Sequence, residues 1–300
     1  MKSIDRLAPQ LRRSWSFLPG ADQKALLDGC HSGADVLVQE LETFTPPERR
    51  PAAHRISAGI IAEWRSAGII TSVRVNPLDK GGVADLEGVM HGRPDIIMMS
   101  LVADAEQVIA LDQIVTRLEQ QHGIPPGQTE LVPNIETTIG LINTMAIAKA
   151  SPRVTAVLVA TEDMVADIGA ERTRAGRELD YVRSRFRVEC AAVGVCAIDC
   201  PYSFADSEGA EADMRLSRNL GYKAKAVVNP QFVEVVNRVL TPTSSEVRLA
   251  SRMIAAFDEA RIAAGEKRIP GAIVDGFLVE VPDYLAAKRL LARAAQFGIS

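Results

Sequence analysis

Polar residues stand where five apolar runs of this sequence end, and they hold most of its chemistry. Glu40 and Glu42 close one run, and Arg74 and Asn76 close the next. Asn134 with Glu136, Glu162 with Asp163, and Asn229 with Pro230 close three others. Carboxylates that converge on one place repel each other, and their pKa values rise. A divalent cation removes that conflict. An all-oxygen donor set, with no histidine at any of these ends, suits Mg²⁺ or Mn²⁺ better than zinc. The planar guanidinium of Arg74 within this acidic set suits a bidentate grip on a carboxylate or 2-oxo acid. A metal, an arginine and a dry cavity together favour chemistry that passes through an enolate.

Elements of fixed direction are needed to bring these residues together. Eight strand-like runs can be read: SWSFLP (14–19), ADVLVQELE (34–42), IITSVRVNP (69–77), DIIMMSLV (95–102), TELVPNIET (129–137), VTAVLVATED (154–163), VCAIDCPY (195–202) and KAKAVVNP (223–230). They are aliphatic or β-branched and end in polar, Gly or Pro residues, the pattern of buried parallel strands. Helical stretches separate them. In 104–123, Val108, Leu111, Ile114, Val115 and Leu118 form one stripe, with Gly123 as the C-cap. The alternation over 14–240 predicts an α/β fold, a TIM (β/α)₈ barrel occupying 1–240. A doubly wound open sheet is the alternative, but no GxGxxG follows the first strand. In a barrel the catalytic groups sit at the C-terminal strand ends, where the polar residues named above fall.

Residues 241–300 differ in character. A long helix is predicted over 244–267, capped by Ser244 or Ser245. A Gly/Pro-punctuated stretch (268–284) and a last helix to about Gln296 follow. This extension is too short to form its own core and is expected to dock on the barrel or on a neighbouring subunit. The 300 residues carry 34 Lys+Arg against 38 Asp+Glu, net −4, which argues against a nucleic-acid partner. The apolar stretches fall short of the roughly 20 residues that span a bilayer. The start, MKSIDRLAPQLRRSW, has no apolar signal core, so a cytoplasmic protein is expected, with no membrane partner. Cys30, Cys190, Cys196 and Cys200 lack metal-ligand spacing and are expected as buried free thiols. Lys225 lies too far down its strand for Schiff-base work and reads as structural. Trp15 and Trp64 read as core or subunit-contact aromatics, and Asp275 before Gly276 reads by itself as a turn residue.

FLPG (17–20), the E-L-E of the second run, VRVN (73–76), IET (135–137), TED (161–163), NP (229–230) and VDG (274–276) occur in this order. With them the chain resembles the citrate lyase β-subunit-like enzymes of the HpcH/HpaI aldolase/citrate lyase family, over roughly 12–290. The likeness is greatest to the branch of malyl-CoA, citramalyl-CoA and citryl-CoA lyases. The resemblance implies Glu136 and Asp163 as Mg²⁺ ligands and Arg74 as the grip on substrate carbonyl and carboxylate. It also implies a lid from the C-terminal segment that carries a catalytic Asp275 to a neighbouring subunit. Arg13 and Asn229-Pro230 fall near the CoA, with Lys24 a candidate phosphate contact, and Glu42 would orient Arg74 or a metal-bound water. The implied activity is cleavage of a 3-hydroxy-dicarboxyl-CoA thioester into a 2-oxo acid and an acyl-CoA, in a homotrimer or dimer of trimers. Thioester hydrolysis, aldol chemistry on 2-oxo acids without CoA, and a non-catalytic binding subunit are the alternatives. Three motifs depart from the family. D-L-E-D reads Glu40-Leu41-Glu42-Thr43, L-P-K-[TV] reads Met99-Ser100-Leu101-Val102, and G-A-E-D reads Ala160-Thr161-Glu162-Asp163.

Overall fold

The computed structural model describes residues 7–264 and 271–300. Each apolar run forms a strand: β1 (Ser14–Pro19), β2 (Val36–Glu40), β3 (Ile70–Val75), β4 (Ile96–Met99), β5 (Glu130–Ile135), β6 (Ala156–Val159), β7 (Cys196–Asp199) and β8 (Ala224–Val227). Each strand pairs in parallel with the next and β8 pairs with β1, so the sheet is a closed TIM-type barrel. Most strands stop short of their apolar runs because ladder pairing ends where the chain swings into the βα loops.

The helices between strands are α1 (Gln23–Asp28), α2 (Arg50–Ser66), α3 (Gly82–Val89), α4 (Ala105–Gln121), α5 (Thr138–Ile142), α6 (Thr144–Lys149), α7 (Glu162–Ile168), α8 (Asp180–Val193), α9 (Ser207–Asn219) and α10 (Val233–Leu240). α4 follows the expected stripe, opened by a capping box between Asp104 and Gln107, and Gly123 turns with φ +61° just past its end.

Alternation along the strands sorts the core. Trp15, Phe17, Val38, Met98, Leu158 and Ala226 fill the barrel interior. Leu18, Leu37, Val73 and Ile97 face outward and meet the helices, where Trp64 is also fully buried. The outward-facing Lys225 is fully buried. Its ammonium lies 2.8 Å from Asp199, 2.7 Å from Asp213 and 2.7 Å from the Cys200 carbonyl, and Arg183 shares both aspartates. This network fastens β7 and β8 to α8 and α9, which is the structural role expected of Lys225. None of the four cysteines forms a disulfide among the described residues. Cys190 and Cys200 are buried as expected, whereas Cys30 and Cys196 are only half-buried because they sit at element edges.

The chain divides into two compact units, Met1–Leu240 and Thr241–Ser300. The second holds α11 (Ser244–Ala264), β9 (Ala272–Val274), β10 (Phe277–Val279) and α12 (Val281–Gln296). The cap of α11 is Thr243, not Ser244 or Ser245. The Thr243 hydroxyl accepts the Glu246 N–H, and the Glu246 carboxylate accepts the Thr243 N–H. Residues 265–270, the end of the expected long helix included, lie outside the described residues. The remainder of the Gly/Pro-punctuated stretch is a β-hairpin. Asp275 (φ +51°) and Gly276 (φ +80°) make a two-residue turn of the kind Asp-Gly favours.

Contrary to expectation, this unit does form a small core. The hairpin folds one face back, burying Ala272, Val274 and Val279 with Phe257 and Tyr284, whose rings stack 4.7 Å apart. Its other face stays in solvent.

Candidate active site

The C-terminal ends of β2, β3, β5 and β6 bring Glu40, Glu42, Arg74, Glu136 and Asp163 to one mouth of the barrel. Gly20, after β1, is required by a close approach. A Cβ there would fall 2.5 Å from the Glu40 carbonyl oxygen, which accepts the Gly20 N–H. That contact fixes the β1 and β2 loops against each other.

Arg74 is the hub of the constellation. Its Nε donates to Glu40 Oε1 at 2.9 Å. Nη2 lies 3.0 Å from Glu42 Oε2 and 3.3 Å from Thr43 Oγ1, and Nη1 lies 3.8 Å from Glu136 Oε1. The guanidinium also sits over the Phe17 ring, 5.2 Å from its centroid. Burial works against this charge, but Glu40, Glu136 and Glu42 outweigh it and hold its pKa above the ordinary value.

Glu136 is in the opposite position. It is 1% exposed, and the Leu101 backbone N–H turned toward its carboxylate favours the charged form. Its Oε1 has no hydrogen-bond partner among the described residues. Burial, reinforced by the charges of Glu42 and Asp163 and only partly offset by Arg74, pushes its pKa up to about 8. Leu101 reaches it from the loop after β4 with φ +54°, a left-handed conformation uncommon outside glycine. It stands where the family motif has lysine, so the position serves Glu136 through its backbone.

A cavity of about 210 Å³ opens beside these groups. Phe17, Leu158 and Ala226 form its apolar lining, while Arg74, Thr43, Glu162, Asp163 and Ser203 supply polar groups. Asp163 stands exposed in the first turn of α7. Glu162 beside it bonds Ser203 and lies 3.5 Å from Arg172. Among the described residues no three His, Cys, Asp or Glu converge as a complete metal cage.

Other expected site residues are placed differently. Arg13 precedes β1, at the barrel end opposite the mouth, where its Nε and Nη2 bond Asp35 at 2.9 and 2.8 Å. It belongs to the floor of the barrel and is not brought to the site. Lys24 lies on α1, highly exposed, in an ion pair with Asp28 one turn on. Asn229 follows β8 at the mouth end; its Oδ1 accepts the Gln231 N–H and starts the short turn headed by Pro230. Asp275 belongs to the second unit, where it pairs with Arg252 at 2.9 and 2.6 Å, and that guanidinium lowers its pKa. Phe44 and Ser203 line the cavity without having been singled out from the sequence, and Thr43, which also lines it, was named there only as a departure from the family motif. Only the position of Thr43, beside Glu42, offered a signal.

The model of the HpcH/HpaI aldolase/citrate lyase family matches residues 13–230. The chain belongs to this family. The match spans every strand of the barrel and the mouth residues just described. The citrate lyase subunit beta of Escherichia coli (strain K12) is 30% identical over 300 residues, covering 99% of this chain and 98% of that protein. A (3S)-malyl-CoA thioesterase of Cereibacter sphaeroides (strain KD131) is 30% identical over 291 residues, 94% of each chain. Among solved structures, CitE from Mycobacterium tuberculosis, in complex with magnesium, acetoacetate and coenzyme A, superposes with a TM-score of 0.77. It is 22% identical, with 96% of this chain and 99% of that chain covered, a likeness of fold. Family membership makes the chain a citrate lyase β-subunit-like carbon–carbon lyase.

Proposed function

We propose that this family member is a Mg²⁺-dependent lyase for a 3-hydroxy-dicarboxyl-CoA thioester of malyl-CoA or citramalyl-CoA type, releasing a 2-oxo acid and an acyl-CoA. The observation that carries it is the pairing of Arg74 with a buried carboxylate, Glu136, that has an oxygen without a hydrogen-bond partner among the described residues, beside a cavity of small-molecule size. An orphaned carboxylate oxygen is costly in a folded protein and fits a site that receives a cation. Glu136 and Asp163 would hold Mg²⁺, which typically takes one or two protein carboxylates and fills its remaining positions with water and substrate oxygens. Bound there, Mg²⁺ supplies Lewis-acid polarisation of the substrate oxygens.

The chain's own residues supply binding, orientation and proton movement. Arg74 grips the carboxylate of the 2-oxo acid portion, and Glu42 steadies its Nη2 side. Phe17, Leu158 and Ala226 keep water from the reacting carbons. In the cleavage direction the 3-hydroxyl gives its proton to a solvent water at the mouth as its carbon becomes the carbonyl of the 2-oxo acid. The C2–C3 electron pair passes to the acyl-CoA as an enolate, and protonated Asp275 of a neighbouring subunit returns a proton to C2. In the condensing direction that carbon gives its proton to Asp275 of a neighbouring subunit, once the Arg252 pair opens. Asn229, Pro230 and Lys24 would face the CoA moiety. The apolar outer face of the hairpin, with Ile273 74% and Leu278 54% exposed in the single chain, supports a lid that packs on another copy of a homotrimer.

A second reading, hydrolysis of the same thioester, is favoured by the equal identity to the malyl-CoA thioesterase relative. A product assay on hydroxy-dicarboxyl-CoA thioesters, with and without Mg²⁺, separates the two. Oxo acid plus acyl-CoA, appearing only with metal and absent in Asp163→Ala, is the expected result. Free CoA with the hydroxy acid intact would move the assignment to thioesterase.

A further inference from the structure

Glu40 is fully buried at the end of β2, yet its carboxylate is surrounded by donors. Oε1 accepts Arg74 Nε at 2.9 Å and the backbone N–H groups of Glu42 and Thr43 at 2.6 and 3.2 Å. Oε2 accepts the N–H of Phe44 at 2.5 Å. One carboxylate therefore ties together two parts of the mouth. It curls the loop that presents Thr43 and Phe44 to the cavity, and it holds Arg74 along its Nε edge.

This has a consequence for ligand geometry. A guanidinium can meet a carboxylate side-on, through Nε and Nη2, or end-on, through Nη1 and Nη2. Glu40 occupies Nε, Glu42 and Thr43 lie 3.0 and 3.3 Å from Nη2, and Nη1 has Glu136 Oε1 beyond hydrogen-bond distance at 3.8 Å. Nη1 is therefore the corner of the guanidinium least engaged by the protein and most open to a ligand oxygen. From this geometry we infer that Glu40 is a positioning residue that holds the Nε edge of Arg74 so that Nη1 meets the ligand, and thereby tunes how tightly the site holds small acids. The inference rests on the proposed 2-oxo-acid role of Arg74.

Two measurements separate failure of this inference from failure of that reading. Calorimetric titration of pyruvate, glyoxylate and oxaloacetate, with Mg²⁺ present, would compare wild type, Glu40→Gln, Glu40→Asp, Arg74→Lys and the Glu40→Gln/Arg74→Lys double variant. The expected result is a Kd raised about tenfold or more in Glu40→Gln and less in Glu40→Asp. On the Arg74→Lys background, Glu40→Gln should change Kd less than about twofold, because residues acting through one another are not additive. Multiplying losses, or an unchanged Kd in Glu40→Gln, would overturn the inference. The second measurement is hydrogen exchange at the amides of residues 42–44, which needs no ligand. Protection in wild type that is lost in Glu40→Gln, or in Glu40→Asp where the amide variant does not fold, is expected. Rapid exchange in wild type would overturn the anchor itself. A wild type that binds none of the acids but shows protected amides would refute the oxo-acid reading and with it the tuning assigned to Glu40.

Discussion

At the scale of single residues, Glu136 gives the metal-free protein a distinctive dependence on pH. Its pKa rises from an ordinary 4.5 to about 8 in the folded chain. Between those values the folded state binds more protons than the unfolded one, so stability is complete below about pH 4.5 and declines as pH climbs toward 8. Metal-free Glu136→Gln should therefore melt about 5 °C or more above metal-free wild type at pH 8, with the gap closing by pH 5. Differential scanning calorimetry across that range reads it directly, and a gap independent of pH would contradict the burial argument. Arg74 makes the complementary prediction for activity. Lysine keeps the charge but not the fork, so Arg74→Lys should lower kcat/KM roughly 100-fold while the fold holds. A loss under about threefold would show that the guanidinium geometry is not used. These two residues were legible from sequence because each ends an apolar run of barrel-strand character. Their energetic opposition was not legible, since it depends on which oxygen finds a donor in three dimensions.

At the scale of elements, strands were the most readable part of the chain. All eight lie within the expected runs, because a strand buried on both faces reads as a largely apolar run, and the buried polar exceptions such as Lys225 are each paired. Loops were read less well. Phe44 lines the cavity only because Glu40 turns its loop inward, a register-dependent contact with no periodic signature. Arg13 was expected near the ligand, but its place ahead of β1 puts it at the barrel floor. The hairpin at 272–279 did carry a signal, Asp-Gly between apolar residues, which the neighbouring Gly and Pro residues obscured. The loop after β4 supplies the test at this scale. Leu101 turns its N–H to Glu136 from a left-handed backbone, which a β-branched side chain resists and glycine adopts freely. Leu101→Gly should keep Mg²⁺ affinity within about threefold of wild type, whereas Leu101→Val should weaken it by about tenfold. Equal affinities in the two variants would mean that this backbone donor does not orient Glu136.

At the scale of the whole molecule, the question is why a barrel with a complete set of mouth carboxylates carries a separate unit with an exposed apolar hairpin. Next to the Asp275 turn, the β9–β10 hairpin presents Ile273 and Leu278 on one face, 74% and 54% exposed, while the opposite face is spent on the unit's own core. A site shared between copies accounts for both the apolar face and the otherwise ordinary turn aspartate, and subunit mixing tests this without any assumption about orientation. Asp275→Ala and Arg74→Ala proteins should each be inactive with Mg²⁺ binding intact. Unfolded together and refolded at equal ratio, they form mixed oligomers in which some sites draw Arg74 from one copy and Asp275 from another. For a cyclic assembly with random mixing, that combination arises at about a quarter of sites, so about a quarter of wild-type turnover should return. If Asp275 acts within its own chain, no mixed site is complete and no activity returns. Ile273→Asp/Leu278→Asp decides the same point from the packing side. It places charges on the face meant to be covered and should give a smaller sedimenting species with intact circular dichroism and little turnover. An unchanged oligomer with full activity would remove the hairpin from the site.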